Sequence, residues 1–188
     1  MTTLTRYSVQ CRSSIEGNTL HGHAAVFGQV AKVPGGYEQL ARSAFDKVLD
    51  RSDSDVVALV EHDPGRLLGR QSSGTLRLKV DDEGLGFEVD LPDTQDGAYV
   101  RALAGRGDLV GASFGFIPGN DGTWTRAEDG SQLHTINTIT HLRDVSAVSL
   151  PAYAGAGVAL RSYDFGQPTG RSQLILARAR VTSRRGSR

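Results

Sequence analysis

Apolar and polar residues alternate along most of this chain with period two, the mark of half-buried strands. Residues 6–15 alternate loosely and predict a first strand. Gly17-Asn18 is a hairpin signal, and 20–27 predicts a second strand beyond it. Val33-Pro34-Gly35-Gly36 reads as a turn before a short strand at 37–40. Ala44, Phe45, Val48 and Leu49 then recur at helical spacing behind Ser43, which predicts a short helix over 43–49 with Ser43 as its cap. Val56-Val57-Ala58-Leu59-Val60 is the continuous apolar run of a buried strand, ending at Glu61-His62 before a Pro64-Gly65 turn. Residues 74–80 and 85–91 alternate cleanly around Asp81-Asp82-Glu83-Gly84 and predict a hairpin. Pro92-Asp93-Thr94 opens a helix at about Gln95, with Gly105 as its expected stop. A strand through Ser113, a polar hairpin arm from Trp124 with its tip at 127–131, and a long strand over 137–150 complete the body. A short amphipathic helix is expected over 174–181.

Many short strands with two or three helices predict an α+β protein, mainly an antiparallel β-barrel flanked by a few helices. The length of 188 residues suits one domain with an appended tail. Charge marks where the tail begins. The formal net charge is zero, yet residues 164–188 hold six Arg against one Asp, which leaves an acidic body and a basic end. The expected division is a domain over 1–163 and a basic, flexible tail over 164–188. Cys11 is the single cysteine, so no intrachain disulfide is expected. No signal peptide or membrane span is expected either, since no apolar run is long enough.

Candidate chemistry gathers where strands run into glycine, proline or turn signals. Ser113 stands between Gly111 and Gly115. Gly-x-Ser-x-Gly spells a nucleophile elbow, but that motif needs a helix after the serine, and none is signalled here. By itself Ser113 reads better as a small residue in a packed strand than as a nucleophile. A hydroxyl nucleophile needs a base within reach and a third group to orient the base. His62, at the end of a core strand, is the candidate base. Asp144 or His141, on the long strand, is the candidate third member. His21 and His23 share one strand face, so a metal hydrolase built on His21, His23 and His62 is an alternative chemistry.

Several blocks in fixed order carry a resemblance. They are Ala24-Ala25-Val26-Phe27-Gly28, Glu61-His62-Asp63, Leu68-Gly69-Arg70 and Ser73-Gly74-Thr75-Leu76. Arg106-Gly107-Asp108-Leu109, Gly111-Ala112-Ser113-Phe114-Gly115-Phe116 and the run from Asp144 through Pro151-Ala152-Tyr153 follow. Together they resemble the prohead (capsid maturation) protease family of tailed bacteriophages, over about residues 20–160. That family is similar in fold to the herpesvirus maturation protease, a helix-flanked β-barrel serine protease. The resemblance implies a serine endopeptidase that cleaves the major capsid protein and scaffold segments inside the assembling procapsid in the host cytoplasm, and that cleaves itself. It implies His62 and Ser113 as catalytic residues and favours Asp144, an acidic residue before Val-Ser, over His141. It implies backbone oxyanion donors, for which the Pro151-Ala152-Tyr153-Ala154-Gly155 loop is the expected source of one. No cofactor or metal is expected, nucleic acid and membrane are not expected partners, and self-association is left open. The alternative within the same biology is an inactive structural or scaffold protein of the procapsid.

Overall fold

The computed structural model describes residues 5–9, 14–33, 36–49, 51, 53–109, 111–126, 130–149, 153–154 and 157–158. Within them the period-two segments become strands in the expected places. In order they are β1 (Thr5–Val9), β2 (Ser14–Glu16), β3 (Thr19–Val26), β4 (Ala31–Val33), β5 (Gly36–Leu40), β6 (Val57–Val60), β7 (Asp63–Arg70), β8 (Leu76–Val80) and β9 (Gly84–Asp90). Helix α1 (Gln95–Arg106) follows, then β10 (Gly111–Pro118), β11 (Thr123–Arg126), β12 (Gln132–Ile136), β13 (Ile139–Val148), β14 (Tyr153–Ala154) and β15 (Gly157–Val158). The protein is sheet-rich α+β. No helix among the described residues is long and apolar enough to cross a membrane.

The ladders sort into a five-stranded sheet β1-β10-β13-β6-β7, two four-stranded sheets β2-β3-β9-β8 and β11-β12-β5-β4, and a ribbon β14-β15. They do not close into a barrel among the described residues. One apolar core joins the sheets. Leu20, Leu76, Leu85 and Val89 come from the β3 sheet, and Val60, Phe114, Phe116 and Val145 from the five-stranded one. Phe45 seals the core, with its ring centroid 5.9 Å from that of Phe114. Phe114 in turn stacks on Phe116 at 5.0 Å. Phe114 and Phe116 are two apart on β10 and so share its core face, which leaves Ser113 and Gly115 to the opposite face.

Four sequence expectations change. The loose alternation over 6–15 is two strands in different sheets, since β1 pairs with β10 and β2 with β3. The 43–49 helix is a single 3-10 turn, Arg42–Phe45, because Ser43 does not cap it. Its hydroxyl instead donates to the Asn137 carbonyl at 3.3 Å. Helix α1 starts at Gln95 as expected, with Thr94 as its cap, but it runs through Gly105 and stops at Gly107, whose φ of 78° supplies the left-handed residue. The Pro64-Gly65 signal marks a bulge inside β7: Leu59 pairs with Leu67 while Val60 pairs with Asp63, so Pro64, Gly65 and Arg66 loop out. Arg66 ties that bulge to α1 through Asp96 at 2.7 Å and lies over the Tyr99 ring at 4.8 Å. Residues 34–35 of the expected turn, 127–129 of the expected tip, Cys11 and everything from 159 onward, including the tail and its expected helix, lie outside the described residues.

On the outer face of the β8–β9 hairpin, Arg77 grips Asp90 with both terminal nitrogens at 2.7 and 2.9 Å, and Glu88 at 3.0 Å. The Arg77 bonds hold the Asp90 carboxyl down to about 2, with help from the Thr19 hydroxyl. A carboxyl lowered by folding stabilises the fold above its unfolded value of about 4, and that contribution drains away as pH falls through the folded value. The urea midpoint of Arg77→Gln should therefore lie below that of wild type at neutral pH, and the gap should narrow as pH drops from about 5 towards about 2. The pair is solvent-exposed, so the gap is small and shrinks in salt.

Candidate active site

Three segments far apart in sequence meet on one face of the five-stranded sheet. β10 and β13 pair antiparallel, with Ser113 opposite Ser146 and Gly115 opposite Asp144. Paired residues share a face, so Ser113, Gly115, Asp144 and Ser146 all stand on the side away from Phe114 and Phe116. This depends on an irregularity. Phe116 pairs with Leu142 while Gly115 pairs with Asp144, which leaves Arg143 as an extra residue. The bulge shifts the parity of the strand there, so Leu142 turns into the core while Asp144, two residues on, turns to the other face. A regular strand would send both to the same side.

The third segment is the β6–β7 turn. β6 lies parallel to β13, with Val60 opposite Ala147, and the Glu61 N–H extends that ladder to the Ala147 carbonyl at 3.0 Å. Val60 pairs with Asp63, so Glu61 and His62 are the two central residues of a tight hairpin. Both have positive φ, 53° and 57°. That pair of left-handed residues lets a two-residue loop match the strand twist, and Asn-Gly or Asp-Gly is the usual sequence for it. Glu and His adopt it only under strain, roughly 1–3 kcal/mol for each residue. The fold holds them there, and the His62 ring lies over β13.

The resulting contacts are short. His62 Nε2 lies 2.6 Å from Ser113 Oγ, and His62 Nδ1 lies 2.5 Å from Asp144 Oδ1. The Ser146 hydroxyl donates to Asp144 Oδ1 at 2.7 Å and sits 3.2 Å from His62 Nδ1. One tautomer satisfies the set: Nδ1–H donates to the carboxylate, and Nε2 accepts from Ser113. Ser113 is fully buried, and the His62 and Asp144 side chains are only 11% and 7% exposed. A carboxylate this buried needs hydrogen-bonding partners, and it has His62 and Ser146.

Gly115 is required by the same arrangement. A Cβ there would fall 2.2 Å from Asp144 Oδ2. The space opened by this glycine is filled by the carboxylate, whereas the Gly-x-Ser-x-Gly spelling suggested a turn motif. No helix follows Ser113, and β10 continues to Pro118.

The other candidates stand elsewhere. The bulge gives His141 the parity of Asp144, but it lies further along β13, opposite Ile117. It is exposed, contacts Thr140 at 3.3 Å, and lines a separate cleft with Arg51, Asp53 and Arg143. His23 on β3 bonds Asp81 at 2.9 Å, and His21 lines the outer face of the same sheet, away from His62. Of the 151–155 loop, only β14 is described. Ser146 is the site residue that sequence reasoning passed over. The signal was present, since it lies two residues from Asp144 on the same strand. Ser146→Ala removes one of the two bonds to Asp144 Oδ1, and turnover should fall about threefold to tenfold with little change in KM.

A family model described as caudovirus prohead serine protease matches residues 6–168. No curated protein matches the chain, and no solved structure does.

Proposed function

The chain belongs to the caudovirus prohead serine proteases and is thus a serine peptidase of capsid maturation, and from that premise we propose that Ser113 is its nucleophile, His62 its general base and Asp144 the group that orients the base. The observation that carries this reading is the unbroken chain of bonds from Ser113 through His62 to Asp144, across contacts 51 and 82 residues apart. Neutral serine is a weak nucleophile, and an imidazole near neutrality can take its proton. Ser113 Oγ attacks the peptide carbonyl as its proton passes to His62 Nε2. Asp144, already accepting from Nδ1–H, stabilises the imidazolium. That proton then goes to the departing amine, leaving an acyl-enzyme on Ser113. Water, deprotonated by the same His62, hydrolyses the ester. Backbone N–H groups hold the oxyanion, and the Pro151–Gly155 segment is our proposed source of one.

The substrates in this reading are the major capsid protein and scaffold segments inside the procapsid, with self-cleavage in the basic stretch after residue 163. The domain over 1–163 is the catalytic unit, and a barrel that closes around the core belongs to the same reading. The test is incubation of the protein with its cognate capsid protein and mass spectrometry of the products. We expect a few discrete cut sites, some in the protein's own tail, and their loss after treatment with a serine-directed phosphonate. Capsid protein left whole under assembly conditions would favour the inactive structural protein instead.

A further inference from the structure

We propose that Glu61 is a positioning residue of this enzyme, a clamp that holds the strained turn carrying His62 against the end of β13. The inference rests on the reading of Ser113 as nucleophile. Its carboxylate takes no part in the bonds among Ser113, His62 and Asp144. Glu61 Oε1 instead accepts two short bonds from one residue, the Ser149 N–H at 2.7 Å and the Ser149 hydroxyl at 2.6 Å. Ser149 directly follows β13, the strand that bears Asp144 and Ser146. Together with the Glu61 N–H bond to Ala147, the turn is pinned to β13 at both backbone and side chain.

The need for the clamp follows from the two positive φ values. A turn whose central residues are glutamate and histidine gains by relaxing out of the left-handed region, and something outside it must oppose that. The bonds to Ser149 do so and are charge-assisted, hence stronger than neutral ones. Both ends of the clamp adjoin the site: Glu61 precedes His62, and Ser149 lies three residues beyond Ser146. The clamp therefore sets where the imidazole stands relative to the carboxylate and hydroxyl it must bridge. Glu61 acts through His62 and makes no contact with Ser113.

The test uses a fluorophosphonate, which needs no knowledge of the natural substrate. Ser113 Oγ forms a P–O bond as fluoride leaves, and its proton passes to His62 Nε2, so the labelling rate reports how well the imidazole is placed. Tryptic mass spectrometry of the full-length protein identifies the labelled residue. Glu61→Ala should label about 10- to 100-fold more slowly, since small misplacements of a catalytic group cost that much. Glu61→Gln keeps an acceptor oxygen and should stay within about threefold of wild type. Glu61→Gly loses the clamp but also the strain at position 61, and should label faster than Glu61→Ala. The downfield proton resonance of His62 Nδ1–H should weaken or shift in Glu61→Ala, which a general loss of stability would not produce while the protein remains folded. Glu61→Ala labelling at the wild-type rate, with that resonance unmoved, would overturn the clamp alone. Failure of the wild-type protein to label at Ser113 would overturn the nucleophile reading and the clamp with it. Should Glu61→Ala not fold, Ser149→Ala decides the matter. It removes half the clamp and should slow labelling about threefold or more, and an unchanged rate counts against the proposal.

Discussion

Ser113→Ala should abolish processing of the capsid protein, and Asp144→Asn should lower kcat by about 10⁴-fold with the fold intact. The second result discriminates more sharply. An asparagine fills the volume of Asp144 and can keep its bond to Ser146. Its amide, however, presents an N–H₂ or a neutral oxygen to His62 Nδ1. In the first case the imidazole takes the tautomer whose Nε2 carries a proton and cannot accept one from Ser113. In the second it loses the charge that stabilises the imidazolium. His141→Ala is the matched control. His141 sits on the exposed stretch of β13 beside Arg51 and Asp53, and its removal should leave turnover within about twofold of wild type, as for a surface position outside the site. If His141→Ala were inactive and Asp144→Asn active, the third member of the site would be misassigned. Both variants should be compared by kcat and KM on one capsid-derived peptide, with circular dichroism to establish folding.

Gly115→Ala should be the most damaging change that touches no reacting atom. The added methyl would fall 2.2 Å from Asp144 Oδ2, well inside contact distance. Either the carboxylate swings away or β10 separates from β13. Overpacking of this kind costs about 1–3 kcal/mol of stability, enough to lower the melting temperature by several degrees. The larger effect is on activity. A displaced Asp144 forfeits the bonds to His62 Nδ1 and to the Ser146 hydroxyl, so kcat should fall towards that of Asp144→Asn. The pair of changes should be strongly non-additive, because once Asp144 is out of place its identity matters little. Full activity in folded Gly115→Ala would show that the carboxylate has room elsewhere and that the close approach to Gly115 is incidental.

Local pattern in the sequence was enough for the elements whose signals are local. The β8–β9 hairpin, the start of α1 and the Trp124 arm lie where alternation and turn residues put them. His62, Ser113 and Asp144 were visible as candidates on segments that run into glycine, proline or turn signals, and the family resemblance is what raised them above the alternatives. What stayed hidden were choices made by distant partners. Nothing near Val57 states that β6 runs parallel to β13, and nothing in 6–15 states that its halves join different sheets. The turn at Glu61-His62 was hidden for another reason. Its residues are poor formers of that turn, so the Pro64-Gly65 signal next door claimed the position. The bulge at Arg143 carries no residue signature at all. On a regular strand His141 and Asp144, three residues apart, would face opposite ways, and the bulge puts them on the same side. Here the distance along β13, and not the side of the sheet, separates His141 from His62.

The parallel pairing of β6 with β13 also sets the order in which the chain becomes dangerous. Pairs of this kind are slow to form, because the long intervening segment must be ordered before the contact repays its closure entropy. The His62–Asp144 contact spans 82 positions, and Ser113 lies on β10, which docks on the other side of β13 from β6. A nascent or half-folded copy therefore holds its hydroxyl, imidazole and carboxylate on separate, unjoined pieces. Hydrolytic competence requires β6, β10 and β13 to be joined, and a chain that has not yet joined them has no assembled site.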